Sequence, residues 1–350
     1  KISCSICHSA SSIVAESLGI CKDCLKGNFA AVRSGIRAIH TSSRARFELP
    51  PEPPDHRDGI VCNLCANQCK PAEGEKGFCG LREVRNKRFV HFAGTADKGL
   101  LQWYRDPLPT NCVADWVCEG HTGTGNHNLA VFYESCTMNC LFCQNWHFRK
   151  SSPEGKEGIS AEDLAALATP ATFCVCFFGG DPSSQMVHAL SASKRFAGMP
   201  VRICWETNGL MNPDYLDKAI DYSLKTGGCI KFDLKAFDDE LNKTLTGISN
   251  KAVKENFKRA AGRSTERDNP PLVLASTLLV PGYIDRDQVY KIAGFIASLN
   301  PEIPYSLLAF APQFYMSDLP YTSARHAREA EAAAYEAGLS NVRIGNKHLL

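Results

Sequence analysis

The spacing of the cysteines constrains this chain more than any other feature. Eleven of the seventeen fall into three tight clusters, which are Cys4, Cys7, Cys21 and Cys24; Cys62, Cys65, Cys69 and Cys79; and Cys136, Cys140 and Cys143. An odd total cannot pair completely, and 350 residues with 44% hydrophobic content supply a core that small disulfide-stapled domains lack. Thiolate ligation of metals in a reducing compartment explains this pattern better than disulfides do. We therefore expect a cytoplasmic protein with bound metals.

Charge and hydropathy argue against two classes of partner. Lys and Arg total 39 against 37 Asp and Glu, which gives a net charge of +2 at pH 7. So small an excess gives no strong push toward nucleic acid and weighs mildly against RNA, so we do not favour a nucleic-acid partner. No apolar run approaches the roughly 18 residues that a membrane span needs, so we expect no membrane association.

Composition divides the chain into three parts. We expect a zinc-ribbon-like region at residues 1–49, a Cys- and Gly-rich metal-binding segment at 50–128 and a regular α/β domain at 129–350. The run from Pro50 to Pro54 favours an extended, polyproline-like linker between the first two parts.

From residue 129 onward, apolar runs alternate with helical stretches. The runs predict six buried strands, at 129–133, 172–178, 201–205, 229–234, 272–280 and 305–310. Helices are predicted near 29–46, after a cap at Ser160, and near 184–196, 212–225, 250–263, 286–299 and 322–337. This alternation predicts a parallel sheet covered on its outside, in the form of a partial (β/α)6 barrel. Active-site residues of such folds gather at the carboxyl ends of the strands.

The central cysteine motif follows the first predicted strand. Cys136, Cys140 and Cys143 have the spacing C-x3-C-x2-C. Three thiolates on one short loop can bind three irons of a cubane cluster and leave the fourth open to a small molecule, whereas four cysteines would make an electron carrier. A three-cysteine zinc site, or three unrelated core cysteines, are the alternatives.

This motif resembles the radical SAM superfamily, whose members cleave S-adenosylmethionine (SAM). Within it, the chain is similar to the activating enzymes of glycyl radical enzymes, such as pyruvate formate-lyase activating enzyme, and to their relatives of the AmmeMemoRadiSam type. Further segments carry the likeness, namely Gly179-Gly180-Asp181-Pro182, Glu206-Thr207-Asn208, Asp233-Leu234-Lys235 and the segment around Cys62–Arg82. The activating enzymes have a His after the sixth strand, where this chain has Ala311.

The resemblance implies a set of roles at the ends of the predicted strands. Cys136, Cys140 and Cys143 would hold a [4Fe–4S] cluster, and Phe142 would pack near the adenine of SAM. The turn at Gly179, Gly180, Asp181 and Pro182 would receive the SAM amino group, with glycines allowing close approach of the backbone. Glu206, Thr207 and Asn208 would complete the site. Asp233 and Lys235 would face the methionine and ribose, and Glu206 and Asp233 would help to hold a monovalent cation. A structural ion pair is the alternative for Asp233 and Lys235.

The two N-terminal cysteine sets predict further metal sites. Cys4, Cys7, Cys21 and Cys24 form two C-x2-C knuckles that can close a tetrahedron, and we expect structural zinc there, with iron as the alternative. Cys62, Cys65, Cys69 and Cys79 supply four more thiolates, for which we favour zinc over an auxiliary [4Fe–4S] cluster.

Six cysteines lie outside these three clusters. Cys174, Cys176, Cys204 and Cys229 belong to apolar strands, and we interpret them as small core residues. Cys112 and Cys118 form a C-x5-C pair, and we interpret the Gly- and His-rich loop at 120–127 after them as a plain loop; a ligand or substrate-gating role over the cluster mouth is the alternative.

These observations together predict an anaerobic radical SAM oxidoreductase. The cluster would cleave SAM to methionine and a 5′-deoxyadenosyl radical, which takes hydrogen from a substrate. By likeness to the activating enzymes, a protein glycine is the first candidate substrate and a ferredoxin or flavodoxin the electron donor. Modification of a small molecule, a lipid or RNA is one alternative. A non-catalytic zinc and iron–sulfur interaction protein is another, but such a scaffold would not need the SAM-side motifs.

Overall fold

A computed structural model describes residues 2–9, 13–109, 112–122 and 124–350 of the chain. Its strands are β1 Arg82–Arg85, β2 Arg88–His91, β3 Leu101–Pro107, β4 His127–Tyr133, β5 Thr172–Gly179, β6 Arg202–Thr207, β7 Ile230–Asp233, β8 Val273–Leu279, β9 Tyr305–Ala309 and β10 Val342–Gly345. Its helices are α1 Lys22–Gly27, α2 Phe29–Ala45, α3 Ala161–Ala166, α4 Met186–Phe196, α5 Pro213–Thr226, α6 Asp239–Thr246, α7 Lys251–Ala261, α8 Arg286–Leu299 and α9 Ala324–Glu336.

Eight strands form the main sheet, in the order β10-β9-β8-β7-β6-β5-β4-β3. Strands β4 to β10 run parallel, each beside the next along the chain, and β3 pairs antiparallel with β4 at one edge. The predicted α/β fold is confirmed: six of the parallel strands are the predicted ones, and β10 adds a seventh. Because these seven strands run parallel, their carboxyl ends meet at one edge of the sheet.

Local sequence signals begin and end several helices. The Ser160 hydroxyl accepts a hydrogen bond from Asp163 N at the start of α3, which confirms the predicted cap. Asn212 caps α5 in the same way, directly before Pro213, and Gly227 ends that helix in the left-handed region. Within the described part of the chain, every helix is too short or too polar to cross a bilayer.

One hydrophobic core runs through most of the molecule. The inner faces of the strands contribute large buried rings, such as Phe177, Trp205 and Phe232. Leu25 of α1, Ile36 of α2 and Phe78 belong to the same core. The N-terminal cysteine segments therefore pack against the main sheet as part of the same core.

The six remaining cysteines converge at the amino ends of the strands. They line a cavity of about 30 Å³, together with the buried Lys231. The ammonium of Lys231 lies 3.2 Å from the sulfur of Cys112 and 3.2 Å from that of Cys176. Of the strand cysteines, Cys176 and Cys229 are buried in the core and Cys174 and Cys204 are half-buried, and Cys176 also contacts the buried charge.

The loop after Cys118 lies at this same end of the sheet. Glu119 pairs with Arg202, the first residue of β6, and Gly120 packs near Phe173 at the start of β5. The alternative that the loop covers the cluster mouth is wrong for these residues, because β4 begins at His127 and its carboxyl end points away from the loop. Gly123 and the side chain of His121 lie outside the described residues.

Candidate active site

One cavity opens at the carboxyl ends of the parallel strands, where the sequence predicts the active site. It measures about 270 Å³. Nearly all the predicted cluster and SAM residues line it, namely Cys136, Cys140, Phe142, Cys143, Gly179, Gly180, Asp181, Glu206, Thr207, Asn208, Asp233 and Lys235. Pro182 is not among the lining residues and instead begins a short 3₁₀ turn behind the cavity.

The three cysteines of the C-x3-C-x2-C motif lie on one loop after β4. Met138 N donates to the sulfur of Cys136 at 3.4 Å, and Asn208 Nδ2 lies 3.7 Å from the same sulfur. Burial raises the pKa of the Cys136 thiol, and it raises that of Cys140 to about 12 although Lys235 opposes the shift. Thiolates at these positions therefore need a nearby positive charge, which a bound metal supplies.

Helices α2 and α6 hold the cysteine loop in place. Asn139 N donates to the carbonyl of Thr246 at 2.8 Å. The side-chain amide of Asn139 donates to His40 Nδ1 at 2.8 Å, and its oxygen accepts from Arg149 at 2.7 Å. All three of these side chains are buried, so the loop is positioned before any ligand arrives.

Two glycines let β5 end directly beside the cysteine loop. A Cβ on Gly179, whose φ is +105°, would lie 2.6 Å from Tyr133 N, and one on Gly180 would lie 2.2 Å from the carbonyl oxygen of Ser135. Both glycines line the cavity, but the close approach of β4 and its loop is by itself enough to require them.

The Asp181 carboxylate ties the ends of β5 and β6 together. It accepts hydrogen bonds from Asn208 N at 2.6 Å, from Ser183 N at 2.7 Å and from the Thr207 hydroxyl at 3.1 Å. Burial raises its pKa, whereas these hydrogen bonds lower it. Asp181 and Thr207 thus position Asn208, whose amide donates to the Thr137 hydroxyl at 2.9 Å.

Asp233 and Lys235 meet at the carboxyl end of β7. The ammonium of Lys235 contacts Asp233 Oδ2 and lies 5.6 Å from the centre of the Phe142 ring. Asp233 Oδ1 is buried and has no hydrogen-bond partner among the described residues. A buried carboxylate oxygen without a partner is costly, and a ligand donor in the cavity would satisfy it.

Glu206 lies between the active-site cavity and the cysteine-lined cavity at the amino ends of the strands. It lines the active-site cavity, and its Oε2 lies 3.8 Å from the ammonium of Lys231, which lines the other. The sequence indicated Glu206 but not Lys231, because a lysine within a short apolar strand carries no motif.

Several residues that the sequence analysis did not identify also line the cavity, namely Gln144, Asn145, Arg149, Ser276, Leu308 and Asn346. Gln144 and Asn145 directly follow the last cysteine of the motif, so their position could have indicated them. Asn346 follows β10, a strand that the pattern did not predict. Leu308 lies on β9, whereas Ala311, which follows that strand, is not among the lining residues.

The first N-terminal cysteine set forms a compact tetrad. The sulfur atoms of Cys4, Cys7, Cys21 and Cys24 all lie within 4.8 Å of one another. Burial opposes the change, but hydrogen bonds from the backbone of Cys21, Cys7 and Ile6 lower the pKa of Cys4 to about 6. A tetrahedral ion with metal–sulfur bonds of about 2.3 Å needs this kind of spacing.

The second set, Cys62, Cys65, Cys69 and Cys79, lies against the active site. Ala66 N donates to the carbonyl of Leu210 at 2.8 Å, shortly after the end of β6. Asn67 Nδ2 donates to the carbonyl of Thr137, between the first two cysteines of the central motif, at 2.8 Å. The loop that carries the second cysteine set therefore contacts the loop of the central cysteine motif directly.

Comparison with known proteins agrees with this arrangement. Residues 130–293 match the family model of the radical SAM superfamily. The pyruvate formate-lyase 1-activating enzyme of Escherichia coli is 28% identical over 191 residues, which make up 51% of this chain and 72% of that enzyme. An uncharacterized protein of Methanocaldococcus jannaschii is 24% identical over 301 residues, covering 82% of this chain and 81% of its own length.

Among solved structures, Streptococcus suis SuiB bound to S-adenosylmethionine aligns with a TM-score of 0.47 and 15% identity. The alignment covers 63% of this chain and 51% of SuiB.

Proposed function

We propose that this chain is a radical SAM enzyme in which Cys136, Cys140 and Cys143 hold a [4Fe–4S] cluster, with SAM bound beside it in the cavity at the strand ends, since residues 130–293 match the model of that superfamily. The observation that carries this assignment is the meeting of three thiols, the unpartnered Asp233 Oδ1 and the Lys235 ammonium in one cavity. Such a cluster and SAM together supply reductive cleavage to methionine and a 5′-deoxyadenosyl radical, which takes hydrogen from a substrate.

The residues of the chain position and enclose the ligands. Asp233 Oδ1 would accept a hydrogen bond from bound SAM, and Lys235 would face its methionine and ribose groups. Phe142, which is buried, would form an apolar wall that excludes water beside the adenine. Asn208 holds the cysteine loop in register with the end of β6.

For the substrate, we infer a glycine in a protein. Its support is the activating enzyme among the relatives, together with a groove of about 470 Å³ that adjoins the active site and shares Arg149 with it. Phe47 lines this groove, and Trp146 and Phe314 stack next to it with ring centres 5.2 Å apart. Aromatic and cationic side chains of this kind suit an extended peptide segment.

Two further cofactor assignments accompany this proposal. The compact tetrad of Cys4, Cys7, Cys21 and Cys24 suits structural zinc. A monovalent cation between Glu206 and Asp233 stays a prediction, and it would share Glu206 with the Lys231 ammonium.

Cleavage of SAM is the first test. Anaerobically reconstituted protein, reduced with dithionite and given SAM, should release 5′-deoxyadenosine. Cys140→Ala should remove the absorbance of this cluster and abolish cleavage, whereas Cys174→Ala, a matched change in a strand cysteine outside the site, should preserve both. Absence of 5′-deoxyadenosine from protein with an intact cluster would refute the catalytic assignment.

The substrate needs a separate experiment. A protein extract of the source organism, grown on glycine deuterated at its α carbon, is added to the reduced enzyme with SAM. If a protein glycine is the hydrogen donor, mass spectrometry will find deuterium in the released 5′-deoxyadenosine. If the extract stimulates cleavage and the product carries no deuterium, the donor is not a glycine.

A further inference from the structure

We propose that Cys62, Cys65, Cys69 and Cys79 bind a second iron–sulfur cluster, a four-thiolate electron carrier, and not a zinc ion. This inference rests on the proposed function, because it gives the site a role in supplying electrons to the SAM-cleaving cavity. Its evidence is the spacing of the sulfur atoms, the charge around them and their contacts with the active-site loop.

The spacing of the sulfur atoms separates the two N-terminal sites. In a tetrahedral zinc site with Zn–S bonds of about 2.3 Å, the sulfurs lie about 3.8 Å apart, whereas a cubane holds its thiolates at wider spacing. Among the described residues, only the tetrad of Cys4, Cys7, Cys21 and Cys24 brings its sulfurs within 4.8 Å of one another. In the second set, as in the set of Cys136, Cys140 and Cys143, no three sulfurs lie within 4.8 Å of one another, a wider spacing than that of the compact tetrad.

The four sulfurs are nevertheless grouped. The pKa of Cys65 is raised first by burial and then by the charges of Cys79, Cys69 and Cys62, so each of the other three lies within electrostatic reach. Three of the four are on one loop, and Cys79 comes from the turn before β1. Backbone and side-chain donors also point at them: Phe78 N lies 3.4 Å from the Cys69 sulfur. Hydrogen bonds to sulfur are one means by which proteins set cluster potentials.

Two buried guanidinium groups provide positive charge beside this site. Arg82 is 2% exposed, and its Nη1 lies 3.5 Å from the sulfur of Cys79. Its Nε is buried and has no hydrogen-bond partner among the described residues. Arg44, which is 1% exposed, donates to the carbonyl of Phe78, next to Cys79. Buried cations require compensating anions, and four thiolates around a cluster supply them.

Arg82 also links the two sites through a chain of hydrogen bonds. Its Nη2 donates to the carbonyl of Ser184 at 3.0 Å, and the hydroxyls of Ser184 and Ser135 lie 2.5 Å apart. Ser135 directly precedes Cys136. An electron from a ferredoxin- or flavodoxin-class donor would enter at the second site and leave to the central one, with one carrier oxidised, the other reduced and no bond made or broken.

Metal content of the wild-type chain tests this proposal without relying on a variant that could misfold. Protein reconstituted with ⁵⁷Fe and sulfide, with zinc also present, should hold about eight irons, as two cubanes require. Mössbauer spectra should show both clusters. About four irons together with zinc bound by Cys62, Cys65, Cys69 and Cys79 would overturn the proposal.

Variants then assign the iron to its site and separate this proposal from the proposed function. Cys65→Ala/Cys69→Ala, which leaves too few thiolates for a cubane, should lose about four irons and still cleave SAM with dithionite, while cleavage driven by reduced flavodoxin falls at least about tenfold. Cys21→Ala/Cys24→Ala, the matched double change in the compact tetrad, should keep its full iron. If Cys65→Ala/Cys69→Ala retains all the iron of the wild type, the proposal fails even where SAM cleavage succeeds.

Discussion

At Asp233 the two carboxylate oxygens have different surroundings. Oδ2 contacts the Lys235 ammonium, and Oδ1 is buried without a partner among the described residues. A buried polar atom without a hydrogen bond lowers the stability of the folded chain. A ligand that donates a hydrogen bond to this atom restores that stability. The neighbouring Asp181 is different, because its hydrogen bonds hold the protein together. We therefore expect the two aspartates of this cavity to have separate tasks, Asp233 in ligand binding and Asp181 in structure.

We expect Asp233→Asn to weaken SAM binding about tenfold or more, because a hydrogen bond to a charged group contributes about 1.5–3 kcal/mol. The iron content should not change, since no cysteine is altered. Isothermal titration of SAM into the anaerobic, cluster-loaded protein measures the effect. Asp217→Asn, which breaks a surface pair with Arg259, is the control. Equal SAM affinity in Asp233→Asn and the wild type would contradict the assigned role.

Among the secondary-structure elements, helix α2 is the main support of the cysteine loop. His40 on this helix bridges two neighbours: its Nδ1 accepts from Asn139, and its Nε2 lies 3.0 Å from the Thr244 carbonyl of α6. Only the neutral ring, protonated at Nε2, satisfies both contacts. Burial, together with the nearby Arg44 and Arg149, lowers the pKa of His40 to about 4. The contact between α2 and the loop therefore depends on an uncharged histidine.

This pKa predicts loss of stability in acid. Between pH 6.5 and about 4 the unfolded chain binds a proton at His40 that the folded chain does not, so the free energy of unfolding falls as pH falls. The contribution is about 1.4 kcal/mol per pH unit within that window. Urea unfolding of the wild type and of His40→Gln should show it, with a shallower pH dependence for the variant. Parallel curves for the two proteins would show that His40 is not involved.

The elements that sequence could predict are those with long, uniform patterns. The six apolar runs became β4 to β9 because a strand buried on both faces needs apolar residues throughout. Strand β10 was missed because Arg343 interrupts its four residues, and with it Asn346 of the active site was missed. Helix α1 was missed because it begins inside the second C-x2-C knuckle and contains Cys24, so the cysteine spacing dominates the pattern there. The contact of Lys231 with Cys112 joins positions 119 residues apart, and no local pattern reveals it.

At the scale of the whole molecule, the N-terminal tetrad is fastened to the same strand ends that form the active site. Ala15 N donates to the Tyr283 hydroxyl, which follows β8, at 3.0 Å. Lys22 pairs with Asp285, and Lys26 lies 3.0 Å from Asp238, five residues after Asp233. A metal bound by the tetrad would therefore hold α1 against the segment that carries Asp233 and Lys235.

Removal of this metal should loosen both sides of the contact. Structural zinc contributes directly to folding free energy, so Cys24→Ala should lose its zinc and unfold the tetrad locally while the sheet stays folded. Hydrogen exchange should then show lower protection at residues 15–27. It should also show lower protection at 233–238, because Lys22 and Lys26 are no longer held in position to form their ion pairs with Asp285 and Asp238. The affinity for SAM should fall several-fold with unchanged iron. If protection is lost at 15–27 alone and SAM affinity is retained, the tetrad stabilises only its own segment, and the connection to the active site drawn from Lys26 and Asp238 is wrong.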